Sequence, residues 1–588
     1  MNYLIPIITV FGFYNITSKI NNKLNLKFNN FYFSIFSFLL LIGLIFILIS
    51  FQIKLNNVFT GILIIFSISI LNFIHLHSNS IYLFLIKEKL LSIFFIFFAI
   101  LTLLPIAGAD SYAYHLAWPQ DLIDNPKILF DRLFVESRVI GIGEIVNFIG
   151  LILGTENLLS FLSFTVLFTY ILRFKKDKRN LVLLIILSSP IYYKYLIDQK
   201  PLILPCILLI IFVENLFDKI SQKKINNLDI FSFFLALSFF ANCKYPFLVI
   251  ALTVFLFFFY ISIKENFIKK YFIFGLAVFI FHFLPLPLVK FIYFGDPFSP
   301  FLEGVFNNAD QDILKLREMY KSWDGFKVTG PSDYFGSFFP LLRSILNFFI
   351  PIAPFTVLDT FGASVIAIFF LRFSYNLKLI FSILIFFVIS CLVLATNFQS
   401  RWFLFIFLYF ILSYDYLTIS KKNLIIPKNI LKLITFTLLM FQSLYLASVV
   451  KDFIFLNYDK TLEKYVYLYK EIKEVKKVSG ENFTLTDTRG NFFYKNLIQY
   501  KYEEYSKKNL PKNKNFSDVK FGFFSTGTSK INDDDLYSKT ILKNFKYDCV
   551  EIISNNLNLV AKRNFLSRKD YENFIFIRFT KPIKNCFK

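Results

Sequence analysis

Apolar runs long enough to cross a bilayer recur from Tyr3 to about Val450, and then the pattern stops. A hydrocarbon layer of about 30 Å needs roughly 20 such residues per helix, so the repeated runs commit the chain to lipid rather than to one water-soluble core. Composition agrees, for the 588 residues are 56% hydrophobic, include 83 phenylalanines and have a mean hydropathy of +0.58. The expected architecture is an all-α polytopic membrane domain over residues 1–450, with about fourteen transmembrane helices, joined to a small α/β domain over residues 451–588.

The expected spans are Tyr3 to Thr17, Phe33 to Phe51, Val58 to His75, Leu90 to Gly108, Asn157 to Leu172, Leu181 to Ile197, Leu202 to Phe217, Ile230 to Ala241, Phe247 to Ile263, Phe272 to Phe294, Thr356 to Leu371, Leu379 to Thr396, Trp402 to Ile419 and Leu431 to Val450. Val139 to Leu153 and Phe338 to Phe355 read as half-buried or re-entrant pieces, because counting either as a span breaks the alternation of charge between loops. Lysines and arginines crowd every second loop, as in Lys19/Lys23/Lys27, Arg173 to Arg179, Lys219/Lys223/Lys224 and Lys264/Lys269/Lys270. The short loops between carry about one each, Lys54, Lys200, Lys244 and Arg401. Positive loops face the cytoplasm, which puts loops 109–138 and 295–338 and the tail outside.

Much of the net charge of +23 lies in those inner loops, and no RNA-binding pattern accompanies it, so nucleic acid is set aside as a partner. Cys206, Cys243 and Cys391 lie in or beside spans as packing residues, while Cys549 and Cys586 share the tail, where an oxidising compartment permits a disulfide. The first span lacks the basic start and small-residue cleavage site of a signal peptide and is expected to remain. His75 and His77 are two apart and point to different sides of a helix. His282, alone in an apolar helix, is expected to be satisfied by an internal hydrogen bond.

The tail reads as a helix from Leu462 to Val478 followed by strands at Phe483 to Thr486, Val519 to Phe524, Cys549 to Ile553, Leu557 to Ala561 and Phe574 to Phe579. It suits a lid or docking module. Thr526 to Lys530 lacks the spacing of a phosphate loop, and Asp533 to Asp535 lacks that of a calcium loop.

Where the span Leu90 to Gly108 ends, the chain reads Asp110-Ser-Tyr-Ala-Tyr-His-Leu-Ala-Trp-Pro119. A carboxylate there can take a proton from an acceptor hydroxyl, and Asp is also a common N-cap, here of a short helix from Ser111 to Ala117. Helical spacing from Ser111 to Leu122 puts Tyr114, Trp118 and Asp121 on neighbouring turns as an acceptor wall, with Tyr112 and Trp118 also readable as aromatics of the interfacial belt. His115 is either a substrate-binding group or a packed interfacial histidine. Lys200, Lys244 and Arg401 fall at outer ends of helices, where long cationic side chains reach a head-group phosphate or simply snorkel. Asp121, Asp131, Glu136, Arg138 and Glu144 are supporting candidates or loop salt bridges.

Together these segments resemble the integral-membrane glycosyltransferases of the GT-C type. Asp110 to Pro119 is similar to the Asp-x-x-x-Tyr-His-Leu-x-x-Pro that begins the first outer loop of bacterial members, and Lys244-Tyr245 resembles their Thr-Lys-Tyr segment. Tyr293 to Pro300 resembles the Gly-Asn-Pro-x-x-Pro element of the second outer loop, and Ser400-Arg401-Trp402 the Ser-Arg-Tyr that starts a late helix. Gln120 and Asp296 depart from the pattern, standing where a basic residue and Asn are usual.

The resemblance implies a polyprenyl-phosphate-linked sugar as donor, a glycan, lipid or protein as acceptor, and membrane lipids as surroundings, at the outer face of a bacterial inner membrane. It implies that Asp110 is the general base or the ligand of a divalent Mg or Mn ion, that Tyr114, His115 and Trp118 meet substrate, and that Lys200, Lys244 and Arg401 hold phosphate. Rival readings are an O-antigen-type polymerase or ligase, a transporter or flippase of lipid-linked sugars, and a scaffold that presents the tail.

Overall fold

In a computed structural model of the chain, the described residues are 3–26, 28–53, 86–104, 111–124, 129–130, 138–299, 376–395 and 400–413, with shorter pieces in 55–70, 360–365 and 433–477 and the strand residues 483–485, 521–527, 549–562 and 569–580. They are mostly helical. In chain order the helices are α1 (Leu4–Lys23), α2 (Asn30–Ser50), α3 (Lys89–Leu103), a π turn (Ser111–His115), α4 (Ala117–Asp124), α5 (Glu144–Leu153), α6 (Leu158–Leu172), α7 (Lys176–Leu187) and α8 (Pro190–Leu196). There follow α9 (Ile203–Ser221), α10 (Asn227–Cys243), α11 (Tyr245–Lys264), α12 (Ile268–Val278), a second π turn (Phe279–Phe283), α13 (Pro285–Phe294), α14 (Asn376–Ala395) and α15 (Leu404–Ser413).

Two helix breaks correct the expected spans, and a third falls where the sequence placed a boundary, between Leu153 and Asn157. The run Leu181 to Ile197 is two helices, because Pro190 has no N–H to donate and its ring clashes with the preceding turn. Ser189 Oγ takes up the slack at Ile185 O (2.7 Å) and at Ser364 Oγ (2.7 Å). The run Phe272 to Phe294 is interrupted by the second π turn and Pro285 and bends by 41°. Gly154, in the left-handed region at φ 89°, ends α5 and lets the chain turn 115° into α6. Among the described residues, α2 and α11 alone are long and apolar enough to cross a membrane, and up to four crossings result if each bent pair, α5–α6 and α12–α13, counts as one. The expected spans Val58 to His75, Thr356 to Leu371 and Leu431 to Val450 fall largely outside the described residues.

Helix α9 is buried on every side from Ile203 to Phe217, the pattern of a central helix. It packs against α10, α6 and α15. On the outside, Leu44, Leu252, Leu256, Phe272, Ile273 and Leu276 are more than half exposed, an apolar surface that water disfavours and hydrocarbon accepts. His282 is satisfied as expected, by Ser238 Oγ at 2.8 Å and Leu39 O at 3.1 Å.

Charged groups gather in two sets. Near the far end of α9, Lys378 meets Glu214 at 2.6 Å, and the neighbouring helix ends bring Arg179 within 3.2 Å of Glu88 and Arg173 over the Tyr32 ring at 4.5 Å. All these cations come from the loops expected to face inward. The second set surrounds the start of α9 and the end of α10. Glu214 is eleven residues beyond Ile203, about 17 Å along the helix axis, so α9 holds the two sets apart.

In residues 451–588 the strands β1 (Phe483–Leu485), β2 (Phe521–Gly527), β3 (Cys549–Lys562) and β4 (Lys569–Thr580) form one sheet in the order β1-β2-β4-β3, with β1 parallel to β2 and the other pairs antiparallel. The expected separate strands Cys549 to Ile553 and Leu557 to Ala561 are one strand, whose register shifts between Ile552 and Ser554 and between Asn555 and Leu557. Bulges of this kind bend a strand without ending it. His75, His77 and Cys586 lie outside the described residues.

Candidate functional site

The second set of charges is assembled by a loop that only glycine permits. Ile142 N donates to Asn242 O at 3.0 Å, laying Gly141-Ile142-Gly143 across the end of α10. A Cβ on Gly141 would stand 2.3 Å from Asn242 O and 2.4 Å from Cys243 O, and one on Gly143 would stand 2.4 Å from Pro201 Cβ. The close approach carries Glu144, the first residue of α5, to Lys244, which ends α10.

The Glu144 carboxylate is fully buried and accepts three hydrogen bonds. Oε1 receives His115 Nδ1 at 2.8 Å and Lys244 Nζ at 3.1 Å, and Oε2 receives the Gly141 amide at 3.0 Å. These donors hold it ionised. His115 is buried too, and burial, followed by the Lys244 cation, pushes its pKa down to about 4. The ring is therefore neutral near pH 7, and the Glu144 contact is a hydrogen bond to a neutral imidazole. Because an ionised carboxylate cannot donate, Nδ1 carries the proton and Nε2 is a bare lone pair.

Around this pair lies a polar shell. Asn147 Nδ2 donates to His115 O and to Gln199 O, both at 3.0 Å. Ser111 Oγ donates to Asp198 and accepts from Gln199 N at 3.3 Å, and Lys200 Nζ lies 3.5 Å from Asp198. On the other side of Lys244, the Tyr245 hydroxyl donates to Ser299 O at 2.5 Å and accepts from Lys290 Nζ at 2.7 Å. Lys290 also donates to Arg138 O at 2.8 Å, and Arg138 reaches Ser299 Oγ at 3.5 Å while lying 4.5 Å over the Phe294 ring. Between them is a narrow cleft lined by Lys244, Tyr245, Leu248, Pro287, Lys290 and Phe298.

The expected continuous helix from Ser111 to Leu122 is replaced by the π turn and α4. Trp118 is buried, donates Nε1–H to Leu129 O at 2.8 Å and stacks on Phe130, whereas Asp121 is exposed. Trp118 thus braces the loop from inside, and it does not share a wall with Asp121. Tyr114 is partly buried, its ring 4.1 Å from that of His115 and 5.7 Å from Lys244 Nζ. Arg401 lies over Trp402 at 4.7 Å, and Trp402 meets Phe247 edge-on at 6.3 Å.

Asp110, Asp131 and Glu136 lie outside the described residues. Of the three cations expected to hold phosphate, Lys200 and Lys244 have carboxylate partners, while Arg401 has none within ion-pair distance among the described residues. Among the described residues Lys290 likewise has no carboxylate within that distance. It was hidden inside the apolar run Phe272 to Phe294, although a lone cation in such a run is itself a signal. Asn147 and the polar triplet Asp198-Gln199-Lys200 between two apolar runs are equally informative, yet sequence reasoning singles out only Lys200 of these.

Among the described residues no group of three His, Cys, Asp or Glu side chains comes together. Glu144 has its oxygens occupied by three donors and so does not fit a hard divalent ion. The expected metal ligand, Asp110, is not among the described residues. Comparison with protein-family models, with curated proteins and with solved structures finds no match.

Proposed function

We propose that the chain is a membrane enzyme of the glycosyltransferase class, of GT-C type, with about fourteen spans and an extracytoplasmic α/β tail. Its reaction moves one sugar, with inversion, from a polyprenyl-phosphate donor to a glycan, lipid or protein acceptor at the outer face of a bacterial inner membrane. The observation that supports this is convergence. The four segments that resemble the family's motifs lie far apart in sequence, yet His115 reaches Lys244 through Glu144, Tyr245 bonds Ser299, and Trp402 packs on Phe247.

In this reading the acceptor oxygen attacks the sugar's anomeric carbon, its proton passes to the Asp110 carboxylate, and the bond to phosphate breaks with its electron pair leaving on phosphate. Developing charge on the leaving group needs cations that are not already neutralised. Arg401 and Lys290 meet that requirement better than Lys200 or Lys244, whose roles are then to position Asp198 and Glu144. A divalent ion held by Asp110 would supply further charge stabilisation.

The test is transfer of labelled sugar by detergent-purified protein from a panel of polyprenyl-phosphate sugars. A lost hydrogen bond to a charged group removes about 1.5–3 kcal/mol, so Arg401→Ala is expected to raise the donor KM or lower kcat/KM by about tenfold or more. Unchanged donor kinetics in both Arg401→Ala and Lys290→Met would contradict the assignment.

A further inference from the structure

Three buried hydrogen-bond acceptors beside the first π turn have no donor: His115 Nε2, Asn147 Oδ1 and Gln199 Oε1. Their residues are 0%, 1% and 0% exposed, so bulk water does not serve them. Their residues adjoin, because the Asn147 amide nitrogen bonds the backbone carbonyls of both His115 and Gln199.

Two of the three are acceptors by construction. Asn147 cannot turn its amide over without setting oxygen against two carbonyl oxygens, and His115 cannot change tautomer while Nδ1 faces the Glu144 carboxylate. Gln199 spends its amide nitrogen on Ser160 Oγ. Buried acceptors left without donors are destabilising, and native structures keep them where a ligand or ordered water supplies the missing hydrogen.

The surroundings narrow the ligand. Acceptors repel a phosphate, and the charges nearby are already paired, Lys244 with Glu144 and Lys200 with Asp198, so no unbalanced charge is left to hold an ion. A neutral molecule rich in O–H donors satisfies both conditions.

We propose that His115, Asn147 and Gln199 form a subsite that reads the hydroxyl groups of a neutral sugar ring. Glu144 is the positioning residue that fixes the His115 tautomer. The assignment of that ring to a transfer reaction rests on the proposed function; the binding of the ring does not.

The experiment is equilibrium dialysis of the purified full chain against radiolabelled methyl glycosides of common hexoses and pentoses, with no lipid donor present. Wild type is expected to bind at least one, and His115→Phe to weaken that binding by about two- to twelvefold, the loss expected for one hydrogen bond. His115→Gln, which keeps an acceptor, should restore most of it, and Gln199→Met carries the same test if His115→Phe fails to fold. No sugar turnover by wild type, with glycoside binding present, would sink the transferase reading and leave the subsite. No glycoside bound by wild type, or equal binding by wild type, His115→Phe and Gln199→Met, means that the corner holds water only and overturns the subsite.

Discussion

Glu144 shows how a carboxylate becomes structural without losing its charge. Three donors surround it, one of them the neutral ring of His115. The consequence is a pH dependence of definite sign. His115 has a value near 6.5 in the unfolded chain and about 4 in the fold, so the unfolded state gains the proton first as pH falls. Its contribution to stability is whole above pH 6.5 and drains away as pH drops to about 4. Unfolding midpoints measured across that window are expected to fall in wild type and to fall less in His115→Gln, and identical slopes would contradict the neutral-ring assignment. Sequence reasoning found His115 and Lys244 by position, but it left Glu144 among five supporting acids and bases. Only the fold says which acid meets which base, since His115 and Glu144 are brought together through the glycine loop.

Hydropathy measures how long an apolar run is and is blind to where the backbone breaks inside it. That is why the breaks at Pro190 and at the two π turns were not legible, whereas the break at Gly154 falls where the expected re-entrant piece Val139 to Leu153 gives way to the expected span from Asn157. The break that matters most is Gly141 to Gly143, because it places α5 against the end of α10. Gly141→Ala would force a Cβ to within 2.3 Å of a backbone oxygen that cannot swing away. Overpacking of this kind destabilises by about 1–3 kcal/mol, so a lowered thermal midpoint is expected for Gly141→Ala. Gly61→Ala is the control, with nothing within 4 Å of the added carbon. Equal midpoints for the two variants would show that the glycine loop is not under the proposed constraint.

Two polar ends separated by a buried helix suit a bundle standing in a bilayer, and the alternation of lysine-rich loops is the basis of the proposed side for each. The assignment predicts labelling. In intact cells a membrane-impermeant maleimide should modify Asp121→Cys, and should reach Lys223→Cys only after permeabilisation; the reverse pattern contradicts the orientation. The strands of the tail were legible because alternating apolar runs bounded by Asn, Lys and Asp are local signals, as β2 and β4 show. The charge clusters were legible as positions, whereas their pairing depended on how α9 and α10 run past one another.

The most direct measurement is release of polyprenyl phosphate from a panel of lipid-linked sugars by the purified protein and by its Asp110→Asn variant, each checked for an intact fold. The account predicts acceptor-dependent release by wild type and its loss in the variant. Failure of wild type to release any donor in the panel, or equal release by both proteins, would contradict it.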